Sequence, residues 1–217
     1  MAAHSYSSLK QFDTCPRQYH EIRILKNFPK PKSEQIIWGE TVHKECEAYI
    51  KENKPFEIQF PGADSVAALK ALDGQKYCEM ELAVNGHLEP VSFRDSTAII
   101  RGIADLVILR GNKCRVVDYK TGSAKYPDVS QLELMSLLLF SKFPEVQQAD
   151  GALLFLAHDT IINHVTKREN TDELWVKWFS KIKRLEQAHE SGVWNPKPNG
   201  LCRKWCDVIT CEHNGRK

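Results

Sequence analysis

Two aspartates and a lysine lie in two short apolar segments that a turn-forming dipeptide joins. Asp105 belongs to the first segment, and Asp118 and Lys120 belong to the second. Gly111-Asn112 stands between them, a dipeptide that favours a two-residue hairpin. In that hairpin Asp105 faces Asp118 directly, with Cβ atoms about 4.5–5.5 Å apart. Lys120 then points to the same face as Asp118, because side chains alternate along a strand.

Two carboxylates that face each other in an apolar hairpin predict a metal site. They repel each other, and burial makes each negative charge costly. A divalent cation removes both problems, and hard oxygen ligands at this spacing suit Mg²⁺ or Mn²⁺. A lysine beside the metal could hold or deprotonate a water molecule and offset charge on a pentavalent phosphate, which indicates phosphodiester hydrolysis. The alternative is a solvated sheet face on which Lys120 forms an ordinary salt bridge, but the apolar flanks disfavour it.

Hydrophobic periodicity predicts the elements that would position these residues. Helical patterns cover residues 5–14, 34–52, 64–76, 129–143 and 172–190. Strand patterns cover residues 79–84, 97–109, 113–121, 152–157 and 161–165. Helices, then strands, then a helix and more strands predict an α/β fold with a small mixed central sheet flanked by helices.

The composition is that of an ordinary globular protein. The chain has 217 residues, of which 42% are hydrophobic and 27% charged, so it can bury a core of its own. The net charge of +2 means that any nucleic-acid surface must come from local clusters of basic residues. Residues 1–9 lack a signal-peptide core and no apolar run is long enough to span a membrane, which predicts a cytoplasmic protein with reduced cysteines.

Several motifs follow one another in an order that matches a known family. They are residues 5–9 with Cys15-Pro16, residues 39–43, residues 102–105, residues 117–122, and residues 194–196 with the cysteines that follow. This set resembles the PD-(D/E)XK nucleases, in particular the RecB-like exonuclease branch with CRISPR-associated and phage members. The resemblance implies a restriction-endonuclease-like core within one nuclease domain over residues 1–217. Its helical part would end near residue 76, its nuclease core near residue 192, and a cysteine tail would follow.

The resemblance also implies a role for each matching position. It makes Asp105 and Asp118 metal ligands, together with the backbone carbonyl of Tyr119, and Lys120 the catalytic lysine. His43 would be a further metal ligand, although a histidine on the surface of its helix is the alternative.

Further positions in and around the hairpin can also be compared with the family. Gln131 would steady the site or the DNA, although it could also be a polar residue at a helix edge. Asp118 stands where glutamate is commoner, and Met135 stands where the family has a tyrosine. Glu81, on the strand before the hairpin, is a further candidate carboxylate.

The cysteines at the C-terminus form a second candidate site. Cys202, Cys206 and Cys211 lie within ten residues of a proline-containing tail, where a metal is a natural organiser. The resemblance adds Cys15 as a fourth ligand and implies a 4Fe–4S cluster, although the middle cysteine is shifted by one position from the usual spacing. The alternatives are Zn²⁺, held by the three tail cysteines with Cys15 or His213, and thiols that bind no metal.

The expected activity is that of a Mg²⁺- or Mn²⁺-dependent exonuclease on single- or double-stranded DNA ends, in a bacterial or phage-infected cell. A structure-specific endonuclease and a non-cleaving DNA-end-binding subunit are the alternatives, and a homo-oligomer or a recombination or replication partner is possible. Basic residues could contact phosphates, although such residues also form ordinary solvated faces; they are Arg17, Arg23, Lys26, Lys30, Lys32, Lys177, Lys181, Lys183, Arg184, Arg203 and Lys204. Trp175 and Trp205 could stack on bases or pack in the core.

Overall fold

The computed structural model describes residues 3–29 and 31–216, so Lys30 of the basic set lies outside the described residues. The chain divides into two compact units. The sheet unit runs over Lys32–Trp175, and the terminal unit joins His4–Pro31 to Val176–Lys217. A single nuclease domain over the whole chain therefore stays a prediction. No helix within the described ranges is long and apolar enough to cross a membrane.

The sheet unit is built on five strands in the order β1-β2-β3-β4-β5. They are β1 (Gln75–Asn85), β2 (Ala98–Arg110), β3 (Lys113–Lys120), β4 (Gln148–Phe155) and β5 (Thr160–Lys167). Only the central pair, β3 and β4, is parallel, and the other neighbours are antiparallel. The predicted α/β fold with a small mixed sheet is confirmed.

Helices cover both faces of this sheet. On one face, α3 (Glu34–Glu52) and α4 (Ala63–Ala71) pack against a core to which Val117 and Leu154 contribute. On the other face, Leu132 of α5 (Ser130–Lys142) packs against Leu153 and Phe155. Successive residues of β4 thus serve opposite cores, which is the alternation expected of a strand buried on both faces.

The terminal unit is helical. It contains α1 (Tyr6–Thr14), α2 (Pro16–Tyr19), a π-helical turn (His20–Ile24) and most of α6 (Thr171–Ser191). Ser5 caps α1 by accepting a hydrogen bond from the backbone N–H of Ser8, and the Ser8 hydroxyl returns a contact to the Ser5 backbone. The inner face of α6 is buried as its periodicity predicts, with Trp178, Ile182 and Leu185 each at most 3% exposed.

One local prediction is wrong. The helix expected over residues 64–76 ends at Ala71, and β1 begins at Gln75. Between them Gly74 has φ 127°, and a Cβ there would lie 2.6 Å from a backbone oxygen of β2, so only glycine fits this connection. The first helix ends at Thr14, and Pro16 begins α2 at its first position, where proline loses no helical hydrogen bond.

Candidate active site

The hairpin between β2 and β3 has the register that its turn predicts. Pairing runs from Arg110 with Lys113 to Leu106 with Val117 and stops there. At the next position a side chain replaces the backbone partner, because Asp105 Oδ2 accepts a hydrogen bond of 2.6 Å from the Tyr119 backbone N–H. The two strands therefore separate where the two aspartates meet, while β3 stays paired with β4 to its end.

Asp118, Lys120 and Gln131 form a closed network on the α5 side of the sheet. The Lys120 ammonium donates to Gln131 Oε1 at 2.6 Å, and the Gln131 amide nitrogen donates to Asp118 Oδ1. Lys120 Nζ also lies 2.7 Å from Asp118 Oδ2 and forms an ion pair with it. The amide of Gln131 thus bridges the acid and the lysine and ties both to α5.

Helix α3 brings His43 to the aspartates. His43 Nδ1 lies 3.7 Å from Asp105 Oδ1, and its ring packs edge-on to Tyr119 with ring centres 5.7 Å apart. One turn earlier, a Cβ on Gly39 would lie 2.7 Å from Thr121 Oγ1, so the glycine permits a close approach of the helix to the end of β3. This contact gives a physical reason for glycine four residues before His43.

Glu79 is a member of the cluster that sequence reasoning missed. One ligand atom each from His43, Glu79 and Asp105 lie within 4.8 Å of one another, and Glu81 is not in this group. Glu79 has φ 50°, a left-handed conformation that costs about 1–2 kcal/mol for a residue with a Cβ. Strand alternation alone places Glu79 and Glu81 on the same side, so it gives no reason to prefer one.

The electrostatics of the cluster suit a cation. Burial and the Asp118 charge raise the pKa of Asp105 well above its usual range, against a lowering effect of the Tyr119 N–H. Burial also raises the pKa of Asp118, and Lys120 opposes that shift. Burial lowers the pKa of His43, which favours the neutral imidazole that a metal binds. Two buried carboxylates beside a neutral imidazole are a donor set that fits a divalent ion.

Met135, which stands where the resemblance implies a tyrosine, packs against β2. It is 7% exposed, and a Cβ on Gly102 would lie 3.0 Å from its Cε. The methionine side chain therefore covers the backbone of β2 three residues before Asp105. It supplies packing at this position and no hydroxyl group.

The four predicted cysteine ligands lie in the terminal unit and line one pocket, together with His213. Backbone N–H groups of Lys197 and Asn199 donate to the sulfurs of Cys15 and Cys202, each at 3.4 Å. The Gln18 side chain donates to the Cys206 sulfur at 3.7 Å. Within the described residues, the four thiols do not form a convergent set of the kind seen at His43, Glu79 and Asp105.

Several of the basic residues that were predicted to contact phosphates form ion pairs with acidic residues of the terminal unit. Arg17 pairs with Glu212 at 2.8 Å, and Lys181 and Arg184 both pair with Asp13. Lys26, Lys183, Arg203 and Lys204 are exposed. In the sheet unit, Lys32 pairs with Glu40 at 2.6 Å.

The two tryptophans that were candidates for base stacking differ in exposure. Trp175 is 3% exposed, so the stacking prediction is wrong for it and the core-packing alternative holds. Trp205 is 71% exposed and keeps an accessible ring.

The mixed sheet opens at an acid pair, with a lysine two residues beyond one of the acids. Residues 3–211 match the model of the PD-(D/E)XK nuclease superfamily. The chain belongs to that superfamily, and this membership supports hydrolysis of a nucleic acid. The RecB-like branch stays a prediction.

Two solved structures share the fold. The protein SSO0001 is 17% identical, with a TM-score of 0.53 over 99% of this chain and 88% of its own. A candidate exonuclease from Eubacterium rectale is 14% identical, with a TM-score of 0.55 over 94% of this chain and 86% of its own. At these identities the likeness concerns the fold alone. The comparison with curated proteins finds no match.

Proposed function

We propose that this protein is a Mg²⁺- or Mn²⁺-dependent deoxyribonuclease that hydrolyses phosphodiester bonds at DNA ends. The observation that carries the proposal is the meeting of Asp105, Asp118 and Lys120 at the point where β2 and β3 separate. Superfamily membership supports nuclease chemistry, and the resemblance of the motifs to the RecB-like exonucleases favours action at ends. DNA specificity and exonuclease action are parts of this proposal.

The metal would be held by Asp105, Asp118, the Tyr119 backbone carbonyl and His43. When bound, a divalent ion supplies Lewis-acid activation of the phosphate and lowers the pKa of a water molecule. Asp105 Oδ1 is the oxygen that faces this position, because Oδ2 is taken by the Tyr119 N–H. The Tyr119 N–H thereby fixes the orientation of the Asp105 carboxylate.

Lys120 would act on the substrate side of the site. Its ammonium lies between Asp118 and Gln131, so it is oriented before DNA arrives. From there it would orient the attacking water and offset negative charge as the phosphate becomes pentavalent. Gln131 acts as a positioning residue because its amide holds both Lys120 and Asp118.

Digestion of end-labelled linear DNA tests the proposal. Single- and double-stranded substrates are incubated beside a closed circle with Mg²⁺, Mn²⁺ or a chelator. Lys120→Ala is the test variant, and Lys113→Ala, at the other end of β3 and exposed, is the matched control. We expect metal-dependent cutting of linear DNA that Lys120→Ala loses and Lys113→Ala keeps. Cutting in chelator, or unchanged cutting by Lys120→Ala, would contradict the mechanism, and cutting of the circle would favour an endonuclease.

We propose further that Cys15, Cys202, Cys206 and Cys211 hold a 4Fe–4S cluster. Their common pocket and the N–H donors aimed at two of the sulfurs support this assignment, because such hydrogen bonds stabilise cluster sulfurs. The role would be structural, since hydrolysis transfers no electrons. Iron, sulfide and zinc analysis of protein purified without oxygen distinguishes the cluster from Zn²⁺ and from unmetallated thiols.

A further inference from the structure

Glu79 is the acidic residue of the cluster that the nuclease motifs leave unassigned. We propose that Glu79 is a metal ligand that acts together with His43 and Asp105. This inference rests on the proposed metal-dependent function and extends it by one residue. It is based on the interrupted pairing of β1 with β2 at Glu79.

Strand β1 pairs with β2 in one register on both sides of Glu79. Cys78 pairs with Leu106 and Met80 pairs with Ala104, but the pair between them, Glu79 with Asp105, is missing from the ladder. No residue is inserted, so the interruption comes from the left-handed backbone of Glu79, which has φ 50°. Asp105 therefore lacks regular pairing with β1 as well as with β3. The sheet is open on both sides of this one aspartate.

At this interruption of the sheet, three side chains from three different elements bring their ligand atoms close together. Ligand atoms of Glu79 on β1, Asp105 on β2 and His43 on α3 lie within 4.8 Å of one another. Donor atoms within 4.8 Å of one another can reach one divalent ion, whose bonds are about 2.0–2.2 Å long, after small movements of the side chains. Because an imidazole nitrogen binds Mn²⁺ more strongly than Mg²⁺, Mn²⁺ is the probe of choice.

The charges around Glu79 also require compensation. Glu79 is exposed, and the side chain of Asp105 is only 14% exposed. The carboxylates of Glu79 and Asp105 are brought together here, and a cation between them converts their repulsion into attraction.

Mn²⁺ binding to the full chain, measured by calorimetry and by electron paramagnetic resonance, tests this role without reference to activity. Glu79→Gln keeps the side-chain shape and removes the charge, and Glu81→Gln makes the same change two residues along the strand, outside the group. We expect Glu79→Gln to weaken Mn²⁺ binding by about tenfold or more, since even partners of ligands contribute 10–100-fold. Glu81→Gln should bind as the wild type does.

A second variant separates the effect of losing the Glu79 carboxylate from the effect of the left-handed Glu79 backbone. Glu79→Gly retains the left-handed conformation without strain, so it should unfold at no lower temperature than the wild type while binding Mn²⁺ weakly. Wild-type binding by both Glu79 variants, or equal losses in the Glu79 and Glu81 variants, would overturn the inference. In either case the proposed function stands if Asp105→Asn loses both Mn²⁺ binding and DNA cutting. A wild-type protein that neither binds Mn²⁺ nor cuts DNA would overturn the proposed function itself, and the inference with it.

Discussion

Gly39→Ala should disturb the proposed metal site from a distance of one helical turn. The added Cβ would lie 2.7 Å from Thr121 Oγ1, whereas ordinary contacts begin at 3.4 Å, so the helix or the threonine must move by about 0.7 Å. The same helix carries His43, whose Nδ1 is 3.7 Å from Asp105 Oδ1. A displacement of this size at a ligand is expected to lower Mn²⁺ affinity by about tenfold or more, since an error of ~1 Å can reduce catalysis about 100-fold.

The stability of the same variant depends on two opposing effects. Replacing a helical glycine by alanine contributes about 0.5–1 kcal/mol, while overpacking costs about 1–3 kcal/mol, so we expect net destabilisation of about 1 kcal/mol. Variants of Thr121, the residue that the added Cβ would contact, supply the control. Thr121→Ala removes Oγ1 and should restore Mn²⁺ binding in the double variant, whereas Thr121→Val keeps an atom in that place and should not.

Calorimetric titration with Mn²⁺ and thermal unfolding measure the two quantities for Gly39→Ala and both double variants. The reasoning is refuted if Gly39→Ala binds Mn²⁺ as the wild type does and unfolds at a higher temperature. In that case the close approach of the helix would not constrain the site. Failure of Thr121→Ala to restore binding would refute the assignment of the clash to Oγ1.

Three further predictions concern the same cluster. Because burial raises the folded pKa of Asp105 above its unfolded value, the metal-free protein should gain stability as pH falls from that raised pKa towards about 4. Asp105→Asn should reduce this gain in thermal unfolding in chelator, and Asp118, whose pKa burial also raises, accounts for the part that remains. Gln131→Leu removes two hydrogen bonds and should destabilise the protein by about 1–3 kcal/mol in urea, with a larger effect on kcat than on KM. Met135→Tyr should cost about 1–3 kcal/mol in the same assay, because Met135 already fills the space over Gly102; a more stable variant would show unused room there.

The sequence was sufficient for the hairpin because its register depends on a local feature. The two-residue turn at Gly111-Asn112 fixes every pair that follows, and the observed pairs agree as far as Leu106 with Val117. The separation beyond that pair could not be predicted. It arises because the Asp105 side chain, rather than a backbone carbonyl, receives the Tyr119 N–H.

Glu79 could not be identified for a different reason. Its place opposite Asp105 depends on the register of β1 with β2, and the connection between these strands, residues 86–97, is too long for a two-residue turn to fix that register. Its left-handed backbone is also unexpected for glutamate, so the alternation of side chains along β1 does not predict that the pairing is interrupted at Glu79. The contact of Gly39 with Thr121 likewise depends on the packing of a helix on a strand that is distant in the chain.

The network of Asp118, Lys120 and Gln131 links metal binding to the position of the lysine. Without a metal, the Lys120 ammonium lies 2.7 Å from Asp118 Oδ2 and partly balances the charge of that buried carboxylate. If Asp118 binds a divalent ion as proposed, its charge would be balanced without the ammonium, and Gln131 Oε1 would remain as a partner of Lys120. The bridging amide would then hold the lysine near the site with or without the metal, so a neutral residue with a donor and an acceptor suits this position.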